Sequence, residues 1–172
     1  MDLKAHIRQI PDFPKPGILF YDISTLLNHP EAWRATVEQM AEAATAYRPV
    51  MLAAIESRGF IFAAPLAYRL GLGFVMIRKM GKLPGAVISH AYDLEYGSDT
   101  LQVAEGVIRP GTRVVLIDDL MATGGTAKAS VQLLNKVGAE VAGAVFLIEL
   151  LGLKGREGLG IPSTTLLAYE GG

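Results

Sequence analysis

The chain contains no cysteine. That excludes disulfides and thiol chemistry, and it suits a reducing compartment, so a cytoplasmic location is expected. Surplus charge is missing too. Sixteen Lys and Arg stand against 17 Asp and Glu, a formal net charge of −1, which argues against a general nucleic-acid binder. Long apolar runs are absent: the longest, Val141–Ile148, is too short to span a bilayer. Asp2, Lys4, His6 and Arg8 interrupt any apolar stretch at the start, so no signal peptide is expected. These absences leave a soluble protein with neither a membrane nor a nucleic-acid partner. With 172 residues, 51% of them hydrophobic, the chain reads as one domain, 1–172, large enough for a substantial core.

In chain order, residues 2–10 form a short amphipathic segment compatible with one helix. PDFPKPG at 11–17 carries three prolines and a glycine, which bars helix and central strand. ILFYDIS then reads as a loop pinned to the core by Phe13, Leu19 and Phe20, so 1–29 is an N-terminal arm. Residues 30–47 read as a helix: Pro30 suits its first turn, and Trp33, Val37, Met40, Ala44 and Tyr47 recur every three or four positions. VMLAAI (50–55) is a buried strand ending in Glu56-Ser57-Arg58-Gly59. A helix follows to Leu70, in which Pro65 implies a kink or a late start. FVMIRK (74–79) is the next strand.

The strongest signal is RVVLIDDLMATGGTA at 113–127. Val114–Ile117 reads as a strand buried on both faces that stops at two adjacent carboxylates, Asp118 and Asp119. The chain then turns through Thr123-Gly124-Gly125-Thr126 into a helix over 125–137. Glycines let backbone N–H groups close on phosphate oxygens, and a helix N-terminus favours negative charge. Strand 141–149 and an edge strand at 164–170 complete the pattern. Alternating strands and helices predict an α/β fold, a mostly parallel twisted sheet with helices on both faces. Ligands in such sheets bind beyond the carboxyl ends of the strands, where Glu56-Ser57-Arg58, Arg78-Lys79 and Asp118-Asp119 all fall.

The insertion at 80–112 breaks the alternation. Arg78, Lys79 and Lys82 place three cations in five residues with no acid among them, as an anion site requires. Residues 86–104 read as a β-hairpin turning at Gly97-Ser98, a hood able to close over a ligand and exclude water.

No Lys follows the glycines of the central turn, so it is not a nucleoside-triphosphate loop, and no G-x-G-x-x-G opens a helix. Strand, paired acids and TGGT resemble the phosphoribosyl pyrophosphate signature of the type I phosphoribosyltransferases. FPKPGILFYDIS, ESRGFIFAAPLA, RKMGKLPG, YDLEYGSDTLQV and LKGRE extend the resemblance nearly end to end, toward the adenine-specific family. It implies transfer of the phosphoribosyl group to N9 of adenine with Mg²⁺, giving AMP and pyrophosphate through an oxocarbenium-like transition state.

The resemblance places Asp118 and Asp119 on the ribose hydroxyls, and Ala122, Thr123, Gly124, Gly125 and Thr126 on the 5′-phosphate. Glu56, Ser57 and Arg58 form a pyrophosphate loop with a non-proline cis peptide before its second residue. Arg78, Lys79 and Lys82 neutralise the leaving group, with Arg58 counted among the catalytic residues. Glu95 is the implied acid/base, with Tyr96 beside it. Phe20 walls the adenine and the backbone at Leu19 reads its edge. Tyr21 stands where the family often has Arg, and Ala122 where enzymes for 6-oxopurines commonly have Asp. No metal ligand is expected from the protein itself: the substrate's pyrophosphate and hydroxyls, with water, would hold the Mg²⁺. A homodimer is expected. A ligand-sensing regulator on the same fold, or a type I enzyme for another base, are the alternative readings.

Overall fold

A computed structural model describes residues 1–171. Its centre is a seven-stranded sheet. In chain order the strands are β3 (Met51–Ile55), β4 (Gly73–Lys79), β5 (Val87–Asp93), β6 (Ser98–Ala104), β7 (Arg113–Met121), β8 (Glu140–Leu150) and β9 (Ser163–Tyr169), and across the sheet they lie β5-β6-β4-β3-β7-β8-β9. The five strands from β4 to β9 in that spatial order are parallel, while β6 runs antiparallel to both β4 and β5. This is the predicted α/β sheet.

The uninterrupted apolar runs are explained by where alternate side chains go. Leu52, Ala54, Val115, Ile117, Val145 and Leu147 face one side, where they pack with α2 (Pro30–Thr45) and α3 (Arg58–Leu70). Their neighbours Ala53, Ile55, Val114, Leu116, Ala144 and Phe146 face the other, against α4 (Gly125–Lys136). Successive strand residues point to opposite faces, and helices cover both, so no position in these runs can be polar. Each large side chain so buried contributes about 1.5–3 kcal/mol.

The helices follow their sequence cues. Pro30 opens α2, where the His29 ring nitrogen Nδ1 accepts from the Ala32 N–H at 3.2 Å. The helix ends at Thr45, two residues short of Tyr47. Helix α3 starts directly at Arg58 and runs through Pro65, so Pro65 does not delay it.

The arm differs from expectation. Instead of one helix over 2–10 there is a 3-10 turn at Leu3–His6 followed by strand β1 (Arg8–Pro11). Instead of a loop, residues Leu19–Asp22 form β2, antiparallel to β1, with Arg8 opposite Asp22 and Pro11 opposite Leu19. A one-turn helix, α1 (Ser24–Leu27), follows. Two four-residue strands around a proline-rich turn leave almost no periodic signal, and the pairing is fixed by side chains. The Arg8 guanidinium binds the buried Asp22 carboxylate at 2.5 Å, and the Ser24 hydroxyl and N–H donate to its other oxygen at 2.6 and 2.9 Å. The Ser24 bonds and then Arg8 hold the Asp22 carboxyl down to about 2. Its stabilisation is present above the ordinary carboxylate range and is lost only as the pH falls through about 2.

Hairpin β5–β6 forms as predicted, turning where the Leu94 N–H donates to the Gly97 carbonyl at 2.9 Å. Its base is hydrogen-bonded into the main sheet through Arg78 opposite Gln102 and Lys79 opposite Leu101. Leu101 and Val103 are buried with Val75 and Ile77, so only the tip of the hood projects.

Candidate active site

Strand β7 does not stop at its acids. It continues to Met121, paired along β8 as far as Glu149. Asp118 and Asp119 therefore lie within the strand, on opposite faces, and Asp119 is only 7% exposed. A charged pair in mid-strand is unusual, and neighbours make it possible. Arg58, the first residue of α3, donates from Nε to Asp119 Oδ2 at 2.6 Å. Asp118 Oδ1 accepts the Asp119 N–H at 2.8 Å. Burial, and then the charge of Asp119, pushes the Asp118 carboxyl well above the usual carboxylate range.

Beyond Met121 the chain turns at Ala122–Gly124 into α4. Gly124 takes φ +84°, and no side chain caps the helix. The first-turn N–H groups consequently have no side-chain partner of their own. Across from them, the Glu56–Ser57 peptide bond is cis, as the resemblance implied. Ser57, Arg58, Glu56 and Lys79 join Asp118, Asp119 and the turn Ala122–Thr126 around a cavity of about 500 Å³.

A second cavity of about 430 Å³ adjoins it. Leu19, Phe20 and Tyr21 of β2 form one wall, and Ile148, Leu150 and Leu153 form another. Arg58, Asp119, Leu120 and Ala122 line both cavities. The Arg58 guanidinium carbon lies 5.8 Å from the centre of the Phe20 ring. Tyr21 packs against Tyr169 with ring centres 4.3 Å apart, so an aromatic pair occupies the position where the resemblance would have allowed Arg.

The remaining predicted residues are placed differently. Glu56 turns its carboxylate toward β4, where Oε1 accepts the Lys79 N–H at 2.5 Å and lies 3.4 Å from Arg78 Nε. Arg78 stands over Phe60, 5.9 Å from the ring centre, and lines neither cavity. Lys79 does line the first cavity, with its ammonium 3.4 Å from Asp99. Lys82 is exposed and outside both. Glu95 and Tyr96 stand at the exposed hairpin tip, Tyr96 at 87% exposure, and line neither cavity. The pairing of Arg58 with Asp119 and the apolar wall of Ile148, Leu150 and Leu153 escaped the sequence reading. Those apolar residues look identical to core, and only the cavity they share with β2 reveals their second surface.

Comparison with known proteins agrees with this geometry. The family model "Phosphoribosyl transferase domain" matches residues 22–158. The chain is 61% identical over 170 residues to the adenine phosphoribosyltransferase of Rhodospirillum rubrum, covering 99% of both chains. Its fold is similar to the crystal structure of adenine phosphoribosyltransferase from Thermoanaerobacter pseudethanolicus, with TM-score 0.94, 46% identity and 98% of each chain covered. It is also similar to the Saccharomyces cerevisiae enzyme complexed with an imino-altritol bisphosphate and adenine, with TM-score 0.90, 38% identity, and 96% and 97% covered. No helix among the described residues is long and apolar enough to cross a membrane. The chain belongs to the adenine phosphoribosyltransferases, within the phosphoribosyl transferase domain family.

Proposed function

We infer that the chain transfers the phosphoribosyl group of 5-phosphoribosyl 1-pyrophosphate to N9 of adenine, giving AMP and pyrophosphate. The observation that carries this reading is the pair of adjoining cavities. One is polar, with a phosphate turn and two acids; the other is apolar and aromatic; and they meet at Arg58 and Asp119. In this reading the turn at Ala122–Thr126 binds the 5′-phosphate, Asp118 and Asp119 accept from the ribose hydroxyls, and the purine lies against Phe20. Breaking the bond from C1′ to pyrophosphate builds positive charge on the ribose and negative charge on the leaving group, an oxocarbenium-like state. Asp118, Asp119, Arg58 and Lys79 line the polar cavity, which supports carboxylates beside the ribose and cations beside the pyrophosphate, the kind of preorganisation that supplies the largest catalytic term in many enzymes.

Two carboxylates matched by one bound guanidinium leave room for a cation beside the ribose, so the donor set fits Mg²⁺ held by pyrophosphate, ribose hydroxyls and water. When bound, the ion neutralises charge on the departing pyrophosphate. Arg78 and Lys82 join in only after Arg78 leaves Glu56. N9 attacks C1′, and the proton left on the purine goes to Glu95, which reaches the base when the hairpin tip moves over the cavity. Exposed apolar side chains on α3 and β4, Ile61, Tyr68 and Met76, support a homodimer, and a cytoplasmic location completes the reading.

Assay with a panel of free bases tests it: adenine is expected to yield AMP and pyrophosphate, and chelation of divalent metal to stop the reaction. Binding of the sugar pyrophosphate with no pyrophosphate release from any base would instead favour a sensor. Glu95→Gln is expected to lower kcat by about 10², within the usual range for a general base, with KM values little changed. A loss confined to KM would mean that Glu95 only helps to hold substrate.

A further inference from the structure

The phosphate turn needs a rigid back as well as an open front, and its back is a second loop. Residues Leu151–Leu153 and Gly155–Gly158 form two 3-10 turns between β8 and β9. Gly155 of this loop is buried directly behind the turn. A Cβ on Gly155 would lie 2.4 Å from the Ala122 carbonyl oxygen and 2.9 Å from the Gly124 nitrogen. A Cβ on Gly124 would lie 2.4 Å from the Gly155 carbonyl oxygen. The two backbones touch with no side chain between them, so a shift of one displaces the other.

Within the loop, the Lys154 N–H donates to the Leu151 carbonyl at 3.2 Å and the Glu157 N–H to the Lys154 carbonyl at 3.1 Å. Lys154 takes a left-handed backbone conformation, φ +54°, which a residue with a Cβ adopts only where its surroundings hold it. Arg156 ties the loop to the sheet. Its guanidinium binds both oxygens of the Glu149 carboxylate, donates to the Ser163 carbonyl at 2.8 Å, and donates to Thr165 Oγ1 at 3.2 Å. Glu149 is 5% exposed and sits in β8 directly opposite Met121, the last residue of β7 before the turn. Strand end, loop and edge strand are thus joined through one side chain. Neither Glu149 nor Arg156 lines either cavity, so neither is placed to touch substrate.

We propose that Arg156 and Glu149 are positioning residues that clamp the loop at 151–158 behind the phosphate turn, fixing the Gly124 backbone for the 5′-phosphate. The hydrogen bond between them holds the Glu149 carboxyl below the usual carboxylate range and raises Arg156 above its ordinary value. The inference rests on the reading of Ala122–Thr126 as the phosphate site. The loop also lends Leu153 to the adenine cavity, so the signature is a larger effect on the sugar phosphate, whose turn meets Gly155 backbone to backbone, than on adenine.

Steady-state kinetics of the full chain, with each substrate varied separately, tests it. Arg156→Met is expected to raise KM for phosphoribosyl pyrophosphate about tenfold or more, well inside the loss of about 10²-fold that a misplacement of about 1 Å can cause. KM for adenine, whose cavity meets the loop only at Leu153, should rise clearly less. Glu149→Gln should give the same pattern, and the double variant should be no worse than either single one, as for two parts of one device. If Arg156→Met fails to fold, Arg156→Lys makes the same comparison, since an ammonium cannot reach Glu149, Ser163 and Thr165 together. Thr126→Val reads the phosphate site independently. If it raises the sugar-phosphate KM while the Glu149 and Arg156 variants leave it unchanged, the clamp is refuted and the phosphate site stands. If it too changes nothing, the phosphate-site reading fails. Equal rises in both KM values, with a lowered melting temperature, would make the pair a general structural brace and overturn the proposal.

Discussion

Asp118→Asn combined with Asp119→Asn is expected to lower kcat/KM by roughly 10²–10⁴, from the loss of two charge-assisted hydrogen bonds at about 1.5–3 kcal/mol each. The fold should survive, and the two sites should contribute to stability with opposite sign. Asp118 has a raised carboxyl in the folded chain. Between the ordinary carboxylate range and that raised value, the folded form binds the extra proton, so stability falls as the pH rises through this interval. Asp118→Asn should therefore raise the melting temperature most above it. Asp119→Asn removes the partner of Arg58 and should lower the melting temperature instead. Kinetics and melting curves of both single variants and the double, across pH, check each part. Unchanged kinetics in the double variant would reduce the acids to structural groups.

Base choice is the second large effect. Adenine should exceed hypoxanthine and guanine in kcat/KM by at least about a thousandfold, the cautious end of what a site built on hydrogen bonds can discriminate. β2 belongs to a two-stranded sheet, paired only with β1, so its other edge keeps unpaired backbone N–H and C=O groups. Leu19, Phe20 and Tyr21 line the apolar cavity from that strand. A carbonyl and an N–H together suit adenine, which offers the N6 donor and the N1 acceptor. Hypoxanthine reverses both, leaving two buried groups mismatched. Ala122 lines the cavity with no proton acceptor in its side chain, so the turn offers no compensating contact. Because backbone does the reading, Tyr21→Phe should keep the selectivity nearly intact. Comparable use of hypoxanthine by the unaltered chain would overturn the assignment. Collapse of selectivity in Tyr21→Phe would move the recognition to that hydroxyl.

The sheet was legible because burial on both faces forbids polar residues, and VMLAAI and VVLI state that constraint directly. The turn stood out because a packing connection needs neither two acids nor two threonines, although Gly124 itself is also required by the close approach of Gly155. What stayed hidden depends on distant pairings. Asp118 and Asp119 look like a strand end, since only the neighbouring β8 and Arg58 make carboxylates tolerable inside β7. The β1–β2 pairing rests on Arg8 meeting Asp22 across a proline-rich turn. Arg78 and Glu56 each read as a free charge for a ligand, yet they face one another. Glu95 and Tyr96 were assigned through the likeness of DLEYG, which carries no information about how far the hairpin tip stands from the cavities.

Arg58 borders both cavities, with one guanidinium serving the sugar acid on one side and the aromatic wall on the other. A cation shared in this way makes the two substrates thermodynamic partners. On the proposed reading, an anion on the sugar side would compete with Asp119 for Arg58 and a base would meet it beside Phe20, so each ligand would alter the surface offered to the other. The factor by which adenine alters affinity for the sugar pyrophosphate must then equal the factor by which the sugar pyrophosphate alters affinity for adenine.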